Sequence, residues 1–446
     1  ILEARAILGI AVGLQYPQTQ NVSGGYAYQK ASKNAPPLSE FPDSIRDQAD
    51  ASADVFQAGF NAAWELDFWG KFRRGVEAAD AGLAASIAGY DTLLVLLTAE
   101  VSNAYVVIRT LEQRLQFAKS NVEIQKRGLR IAEVLFKGGE TSELDVQQAR
   151  SLLHNTQSTI PVLEISVRQA QNGLCVLLGI PPSDLSARLK GPGTIPGAPS
   201  EVAVGIPADL LRRRPDIRLA EFQAAAQGAL IGVAEADLYP HFAIGGSIGF
   251  AVGNSNGIFN GDSLVGFFTP FSFRWDIFNY GRIKNNVRIQ DARFEQLLVT
   301  YQNQVLEAAR EVENGLIGFI RTQQQEKYLD DAARAADRAT KIALLQYKEG
   351  LTDYTRVLNT QQLLVAQQDT LASSRGDIIR YLIAVYKSLG GGWESRAGKD
   401  IVPAETLDTM RKRTDWGDLL GTISLPAEME QPPTGKEVEL FNKPMW

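Results

Sequence analysis

Hydrophobic residues recur in a helical rhythm over two long stretches of the chain, from 83 to 122 and from 294 to 319. The steps alternate between four and three residues, which is typical of the seam between helices packed as a coiled coil. From about Phe72 to Phe136 the first helix would be on the order of 100 Å long at 1.5 Å per residue. The seam consists of Leu83, Ile87, Tyr90, Leu94, Leu97, Val101, Ala104, Ile108, Leu111, Leu115, Ala118 and Val122, and then of Phe294, Leu298, Tyr301, Val305, Ala308, Val312, Gly315 and Phe319.

In four shorter segments, apolar side chains alternate with small or polar ones, and this period of two predicts strands. Each segment has about the 9 to 11 residues that a tilted strand needs to cross a bilayer. We predict that the apolar residues of each segment share one face: Val22, Tyr26 and Tyr28 in the first, Phe56, Ala58, Phe60, Ala62 and Trp64 in the second, Phe242, Ile244, Ile248, Phe250 and Val252 in the third, and Val265, Phe267, Phe271 and Phe273 in the fourth.

The chain contains two copies of one unit. Gly70-Lys71 reappears as Gly281-Arg282, an offset of 281 − 70 = 211 residues, and Leu178-Gly179 reappears as Leu389-Gly390 at the same offset. We predict four divisions of the chain: a first repeat at 1–179, an equatorial linker at 180–206, a second repeat at 207–390 and a C-terminal equatorial segment at 391–446. The first repeat contains the end of a helix, a β-hairpin at about 18–66 and a long helical hairpin at about 72–179. The second contains a helix at 215–238, a β-hairpin at about 241–277 and a helical hairpin at about 282–389.

The ends of the long helices carry their own signals. Gly138-Gly139 supplies a left-handed C-cap, and Ser142 with Asp145 resembles a capping box that starts the returning helix. Gly350, Thr352 and Asp353 repeat this pattern in the second copy. Pro161 predicts a kink or an interruption in the first returning helix.

Composition narrows the class of protein. The net charge of −6 and the absence of a basic stripe argue against a nucleic-acid partner. We find no stretch that approaches the roughly 18 uncharged apolar residues of a membrane-spanning helix, so any crossing would use strands. The chain opens at Ile1 without a start methionine, and we expect that a signal peptide and an early part of the mature protein precede it.

An enzyme is not indicated. The histidines are His154 and His241, and neither has a catalytic or metal-ligand spacing with Cys175, the one cysteine. We therefore expect no cofactor and no metal, a buried inert thiol at Cys175, and two structural histidines.

Four strands cannot close a membrane barrel, because the smallest have about eight, and open edges in lipid leave backbone groups unpaired. The protomer must therefore oligomerise, and the strands alone do not choose between three and four copies. Aromatic residues fall where strands meet helices: Tyr16, Trp64, Trp69, Tyr239, Trp275, Phe278 and Tyr280. They could form a girdle at one membrane surface, or they could pack the junction internally.

Three motifs occur in order along this duplicated chain: Ala63-Trp64-Glu65-Leu66-Asp67-Phe68-Trp69-Gly70, the run from Ile206 to Ile217 that contains Arg212-Arg213-Arg214-Pro215-Asp216, and Leu389-Gly390-Gly391-Gly392-Trp393. With them, the chain resembles the TolC/OprM type of outer membrane factor, in the lipoprotein branch that serves RND-type tripartite efflux pumps. The resemblance covers essentially the whole chain. In Arg212, Arg213 and Arg214 we expect salt bridges of the collar, after a short helix that ends before Pro215, with Asp216 as the N-cap of the next helix.

The resemblance implies an α+β membrane protein: a homotrimer whose four strands per protomer jointly form a transmembrane β-barrel in the outer membrane, continuous with a long periplasmic α-helical barrel. It implies as partners a periplasmic adaptor protein, an inner-membrane RND-type transporter and outer-membrane lipid. The implied function is a passive exit duct for drugs or other small toxic compounds. A lipid on an N-terminal cysteine outside this sequence is implied in the same way. A type I protein-secretion channel and a soluble coiled-coil scaffold are the alternatives.

The hairpin tips, 136–146 and 347–359, resemble the family's periplasmic entrance and adaptor-docking grooves. Many relatives place aspartates near the second tip, whereas this chain has Arg356 and Asn359 there. We hypothesise that Thr355 and Asn359 line the gate and that Arg356 and Asp353 pair between protomers; simple solvation of these charges is the alternative. The tip residues assigned to gating and docking are Lys137, Gly138, Gly139, Ser142, Asp145, Lys348, Gly350, Asp353, Thr355, Arg356 and Asn359.

Overall fold

A computed structural model of the chain describes residues 1–34, 36, 38–46, 52–185, 187–189, 193–199, 213–253, 261–396 and 401–421. The described residues fall into two compact units. The first is drawn from Ile1–Ile87, Leu219–Tyr301 and Pro403–Thr422, and it contains the sheet. The second is drawn from Ala88–Arg218 and Gln302–Val402.

Four long helices dominate the described residues, and they form two helical hairpins. They are α3 (Lys71–Lys137), α4 (Glu143–Leu177), α6 (Arg282–Lys348) and α7 (Tyr354–Ser388). Every bound of the second pair lies 211 residues after its counterpart in the first, since 282 − 71, 348 − 137, 354 − 143 and 388 − 177 all give 211. The predicted duplication is thereby confirmed. Within the described residues, the other helices with defined bounds are α1 (Leu2–Gly13), α2 (Asp43–Arg46), α5 (Pro215–Ala236) and α8 (Ala404–Arg413), with 3-10 turns at Leu38–Glu40, Gly261–Ser263, Trp393–Arg396 and Gly417–Leu420.

The duplication extends to backbone conformation at the helix ends. Gly139 and Gly350 have φ values of +79° and +70°, in the left-handed region that closes a helix and that side chains disfavour. Each hairpin tip therefore turns on a glycine. Gly179 and Gly390 end the returning helices in the same way.

One antiparallel sheet is formed by β1 (Thr19–Lys30), β2 (Ser52–Leu66), β3 (His241–Val252) and β4 (Leu264–Arg274), in that spatial order. Strand β2 of the first repeat pairs with β3 of the second, from Phe56 opposite Val252 to Leu66 opposite Phe242. The two repeats thus share a single sheet.

The prediction for the fourth strand is wrong in one respect. A register shift in the β3–β4 pairing lies between Ala243 and Gly245. Before it, Phe267 pairs with Ser247; beyond it, Phe273 pairs with Phe242. The extra residue of the bulge moves the following side chains to the other face, so Val265 and Phe267 do not share a face with Phe271 and Phe273. Pro270 lies in the bulge, a position at which strands tolerate proline.

The capping-box prediction at Ser142 is also wrong. Ser142 is the N-cap of α4, but its side chain makes no capping hydrogen bond. In the second copy, Asp353 is a true cap, and its carboxylate accepts from the backbone N–H of Arg356 at 3.2 Å. Asp67 acts similarly before α3, because its two carboxylate oxygens accept from the N–H groups of Phe72 and Arg73 at 3.1 and 2.9 Å.

In the first repeat, helix α4 runs without interruption through Pro161, which lies on its exposed side. The predicted interruption is therefore wrong, and the alternative, a kink at Pro161, stays a prediction. Within the part of the chain that the structure describes, α3 has one window long and apolar enough to cross a membrane, contrary to the expectation that none approaches this. Val95 and Ala99 are buried in this apolar part, whereas Leu93 and Leu97 are exposed on the protomer. Asp91 there pairs with Arg396 at 2.8 Å.

Candidate functional site

The pairing register divides the sheet into two chemically different faces, because directly opposed residues in an antiparallel ladder point to the same side. The first we call the apolar face, because most of its large side chains are apolar: Val22, Tyr26, Tyr28, Phe56, Phe60, Trp64, Leu66, Phe242, Ile244, Ile248, Phe250, Val252, Leu264, Phe268, Phe271 and Phe273, with the small residues Gly24, Ala58, Ala62, Gly246 and Gly266 between them. The register also places Gln20, Lys30, Ser52 and Asp54 on this side, all of them on β1 or β2. The opposite side we call the polar face: Thr19, Asn21, Ser23, Gln57, Asn61, Glu65, Ser247, Thr269 and Ser272, with Gly59, Ala63, Ala243, Gly245, Gly249, Ala251, Val265 and Phe267 between them.

Side chains of the polar face bond to one another across the strands. Asn61 Nδ2 donates to Asn21 Oδ1 at 2.9 Å and lies 3.2 Å from Ser23 Oγ. The apolar face instead carries exposed aromatic rings, among them Phe268, which is 70% exposed in the protomer. A sheet with one apolar and one polar face and little covering on either is the arrangement of a membrane barrel, apolar toward lipid and polar toward the lumen.

Strands β2 and β3 approach each other closely where two glycines are opposed. Gly59 lies opposite Gly249 in the register. A Cβ added at Gly249 would be 2.5 Å from the carbonyl oxygen of Ala58 and 2.6 Å from Cα of Gly59. No side chain fits at that distance, so this part of the ladder requires glycine.

The seven aromatic residues at the strand ends all lie on the surface of the protomer. Three tryptophans among them donate their indole N–H to backbone carbonyls: Trp64 to Gln15 at 3.1 Å, Trp69 to Pro240 at 2.8 Å and Trp275 to Leu238 at 3.0 Å. Trp69 also stacks on Tyr239, with the ring centroids 4.6 Å apart. Each indole is thus fixed at its polar end while its apolar body stays exposed, as an interfacial girdle requires. The girdle itself stays a prediction.

At the hairpin tips, one carboxylate joins the two hairpins. Asp145 of α4 accepts hydrogen bonds on Oδ2 from the hydroxyl of Thr141 in its own hairpin and, at 3.2 Å, from the hydroxyl of Tyr347 at the end of α6. Tyr347 and Tyr354 are both almost fully buried, with centroids 5.2 Å apart. They pack in an apolar cluster with Ala132, Val146, Ala149, Ala343 and Val357.

Burial keeps the hydroxyl of Tyr347 protonated, so that it can donate a hydrogen bond. Desolvation, reinforced by the neighbouring charge of Asp145, raises the pKa of Tyr347 to about 12. The phenol is therefore protonated at any physiological pH. We call the contact between Asp145, Thr141 and Tyr347 the tip latch.

The structure brings Asp145 into the tip latch and leaves the other predicted tip residues exposed on the protomer. Thr355, Arg356 and Asn359 lie together on the exposed side of α7, opposite the buried Tyr354 and Val357. Asp353 is engaged by the backbone of Arg356 within its own protomer. The assignment of these residues to a gate stays a prediction.

A family model for outer membrane efflux proteins matches residues 3–180 and 206–391, most of the chain. The chain belongs to the outer membrane efflux protein family. The pyoverdine export outer membrane protein OpmQ of Pseudomonas putida is 30% identical over 363 residues, which are 78% of this chain and 74% of that protein. The toluene efflux pump outer membrane protein TtgI of Pseudomonas putida is 30% identical over 354 residues, 79% and 74% of the two chains. The solved outer-membrane channel OprN superposes with a TM-score of 0.80 at 30% identity, covering 88% of this chain and 85% of that one.

In this outer membrane efflux protein, the arginine motif forms a buried ion-pair network. The guanidinium of Arg214 donates to Asp216 at 3.0 and 2.7 Å, to Glu311 at 2.9 Å and to the carbonyl of Ser388 at 2.9 Å. Gln304 adds a hydrogen bond to Asp216 at 2.6 Å. The predicted salt bridges therefore exist for Arg214. Arg212 and the short helix expected before Pro215 lie outside the described residues.

Asp216 is not the N-cap that we expected. Helix α5 begins at Pro215, so Asp216 is its second residue and its carboxylate lies in the first turn. Burial alone would raise the pKa of Asp216, but the hydrogen bonds and charge of Arg214 hold that pKa below its usual range.

Replacing Arg214 with Met is expected to destabilise the protein by about 3 kcal/mol, because the partly buried Asp216 would lose its counter-charge. The depressed pKa of Asp216 stabilises the wild type fully above the unfolded value of about 3.9, and this stabilisation is lost as the pH falls through the lower folded value. Thermal unfolding followed by circular dichroism from pH 7 to pH 2 measures both effects.

The control for this experiment is Arg213→Met, which removes the same charge from an exposed neighbour. It should leave the unfolding temperature nearly unchanged at every pH. Equal destabilisation by the two substitutions would mean that net charge matters here and the Arg214 network does not.

Sequence reasoning missed several residues of these sites. Tyr347 has no duplicated counterpart, because Phe136 occupies the position 211 residues earlier. A tyrosine at this otherwise apolar position beside a glycine turn was the available signal. Gly249 stands in a strand that also contains Gly245 and Gly246, so spacing alone did not distinguish the glycine at the closest approach.

Proposed function

We propose that three copies of this chain form the outer-membrane exit duct of an efflux pump. The two-faced sheet carries this proposal. Its outer strands β1 and β4 are paired on one side only within the described protomer, and backbone groups left unpaired in hydrocarbon cost several kcal/mol each. Pairing of β4 with β1 of the next copy satisfies both edges and closes a ring of about twelve strands, wide enough for an aqueous lumen.

The helical hairpins extend into the periplasm in this proposal, because all strand-to-helix junctions leave the sheet at the same end. An adaptor protein and an inner-membrane RND-type transporter deliver cargo to the hairpin tips. Thr355 and Asn359 line the entrance, with Arg356 and Asp353 between protomers. Cargo then moves passively through the lumen, and the names of the relatives suggest small organic compounds as its class.

Neighbouring phenylalanines on β4 offer a direct test of the two faces. Phe267 lies on the polar face and Phe268 on the apolar face, and both are exposed in the protomer. In reconstituted protein, Phe267→Cys should react with a membrane-impermeant thiol reagent, since its side chain faces water in the lumen. Phe268→Cys should react with a lipid-soluble maleimide and should resist the impermeant reagent by at least about tenfold.

The native Cys175 is buried and serves as the background in both proteins. Reaction of both new cysteines with the impermeant reagent would contradict a membrane-embedded sheet. The reverse pattern would place the polar face toward lipid and refute the proposed barrel.

A further inference from the structure

The apolar face of the sheet contains a hollow of about 540 Å³. Its floor is Ala62 of β2 and Gly246 of β3, which oppose each other in the register. Its walls are formed by the side chains of Phe60, Trp64, Ile244, Ile248 and Phe268. Pro17, Gly266 and four residues of the polar face, Ala63, Gly245, Ser247 and Phe267, also line it. The hollow is therefore a depression with large apolar side chains around a floor of small residues.

No side chain from the floor of the hollow can occupy it. A Cβ added at Gly246 would be 2.9 Å from the carbonyl oxygen of Phe267 and 3.4 Å from the Phe268 ring, so this position excludes a side chain. The walls stay open to the surroundings, with Phe60 42% and Ile248 54% exposed. An apolar cavity of this kind does not hold ordered water, because water needs two to four polar partners.

The position of the hollow along the strands indicates which leaflet of the membrane it faces. Trp64 is two residues from the end of β2 at Leu66, and its indole is bonded to Gln15. Phe60 is six residues from that end, or about 20 Å along a strand with a rise of about 3.3 Å per residue. With a strand tilt near 45°, this corresponds to a depth of about 14 Å, close to half of the roughly 30 Å hydrocarbon core.

We propose that this hollow is a binding site for one acyl chain of a glycerophospholipid from the leaflet on the helical side of the membrane. The inference rests on the proposed function, because it requires the apolar face to be in the bilayer. Moving a chain from lipid to protein brings no hydrophobic gain, since both surroundings are apolar. The gain comes from dispersion contacts on three sides of the chain, which an empty hollow would forfeit.

The volume agrees with this occupant. Ligand cavities are typically about 300 to 1,000 Å³ in size, and the hollow lies within that range. Trp64 and Pro17 line the hollow, and Trp64 is two residues from the end of β2 nearest the helices, where the headgroup would meet water. Tryptophan and tyrosine are enriched at this depth of a membrane protein.

The test fills the hollow without changing the rest of the face. Ala62→Phe places a ring on the floor, and Ala58→Phe is the matched control on the same strand and the same face, outside the hollow. Protein purified in a mild detergent is washed with lipid-free detergent, and retained phospholipid is counted by native mass spectrometry. The wild type and Ala58→Phe should retain about one phospholipid per protomer, and Ala62→Phe should retain almost none.

Phe268→Ala supplies a second variant, since truncating an exposed wall requires no additional space in the protein. It should lower retention several-fold. Equal retention by Ala62→Phe and the wild type, or a wild type that retains no phospholipid, would overturn the site. If the Phe267 and Phe268 labelling agrees with the barrel while no lipid is retained, only the lipid site fails; if that labelling is reversed, the proposed function fails as well.

Discussion

Asp145→Ala is expected to raise the resting conductance of the channel in planar bilayers by about 5- to 150-fold. The substitution removes the shared acceptor of the tip latch, so the hydroxyls of Tyr347 and Thr141 lose the carboxylate oxygen that accepts from both. Loss of a hydrogen-bond partner by a buried donor costs about 1 to 3 kcal/mol. We infer that the arrangement in which the tip latch joins the two hairpins is the closed one, so that this cost falls on the closed channel. Tyr347→Phe should act in the same direction with a smaller effect, because Asp145 would keep Thr141.

Glu140→Ala is the matched control, because it removes one negative charge from an exposed position in the same tip. Its conductance should equal that of the wild type. The same recordings examine the gate residues: if Arg356→Ala and Asn359→Ala change neither conductance nor closure, those two residues do not line the gate. An unchanged conductance in Asp145→Ala would show that the tip latch does not hold the channel closed.

Gly249→Val is expected to lower the yield of assembled channel in the outer-membrane fraction by at least about tenfold, because overpacking of a tight site costs 1 to 3 kcal/mol or more. The new Cβ would lie 2.5 Å from the carbonyl oxygen of Ala58, a backbone atom that cannot rotate away. Strands β2 and β3 would have to separate there. This pairing joins the two repeats in one sheet, so the effect should be on assembly as a whole.

The detergent-resistant oligomer on unheated gels measures this assembly. Ala251→Val is the matched control, since it adds the same side chain to the same strand and face at an exposed position opposite Gln57. Its oligomer yield should be close to that of the wild type. A normal yield from Gly249→Val would mean that the strands pair less closely than this register indicates.

Much of the fold could be read from periodicity, because a long helix or a half-exposed strand repeats its pattern over many residues. The 211-residue offset located both helical hairpins, and the structure repeats it at every helix bound. Local exceptions could not be found this way. A single bulge reverses the faces of Phe271 and Phe273 relative to Phe267, and one residue leaves no trace in an alternating pattern. Ser142 and Asp145 have the spacing of a capping box, but the carboxylate of Asp145 accepts hydrogen bonds from Thr141 and Tyr347 instead.

The sequence by itself determined the class of this protein. Local side-chain spacing predicts paired helices of coiled-coil period and four strands long enough to cross a bilayer, in a duplicated order. The sequence also carries the match to the outer membrane efflux protein family. Tertiary structure alone decided which residues carry the sites. Asp145 and Tyr347 lie 202 residues apart in the chain. Ala62 and Gly246 likewise belong to different repeats. Such pairs meet only when strands and helices pack, since hydrogen bonds and cavities depend on distance in space and not on spacing along the chain.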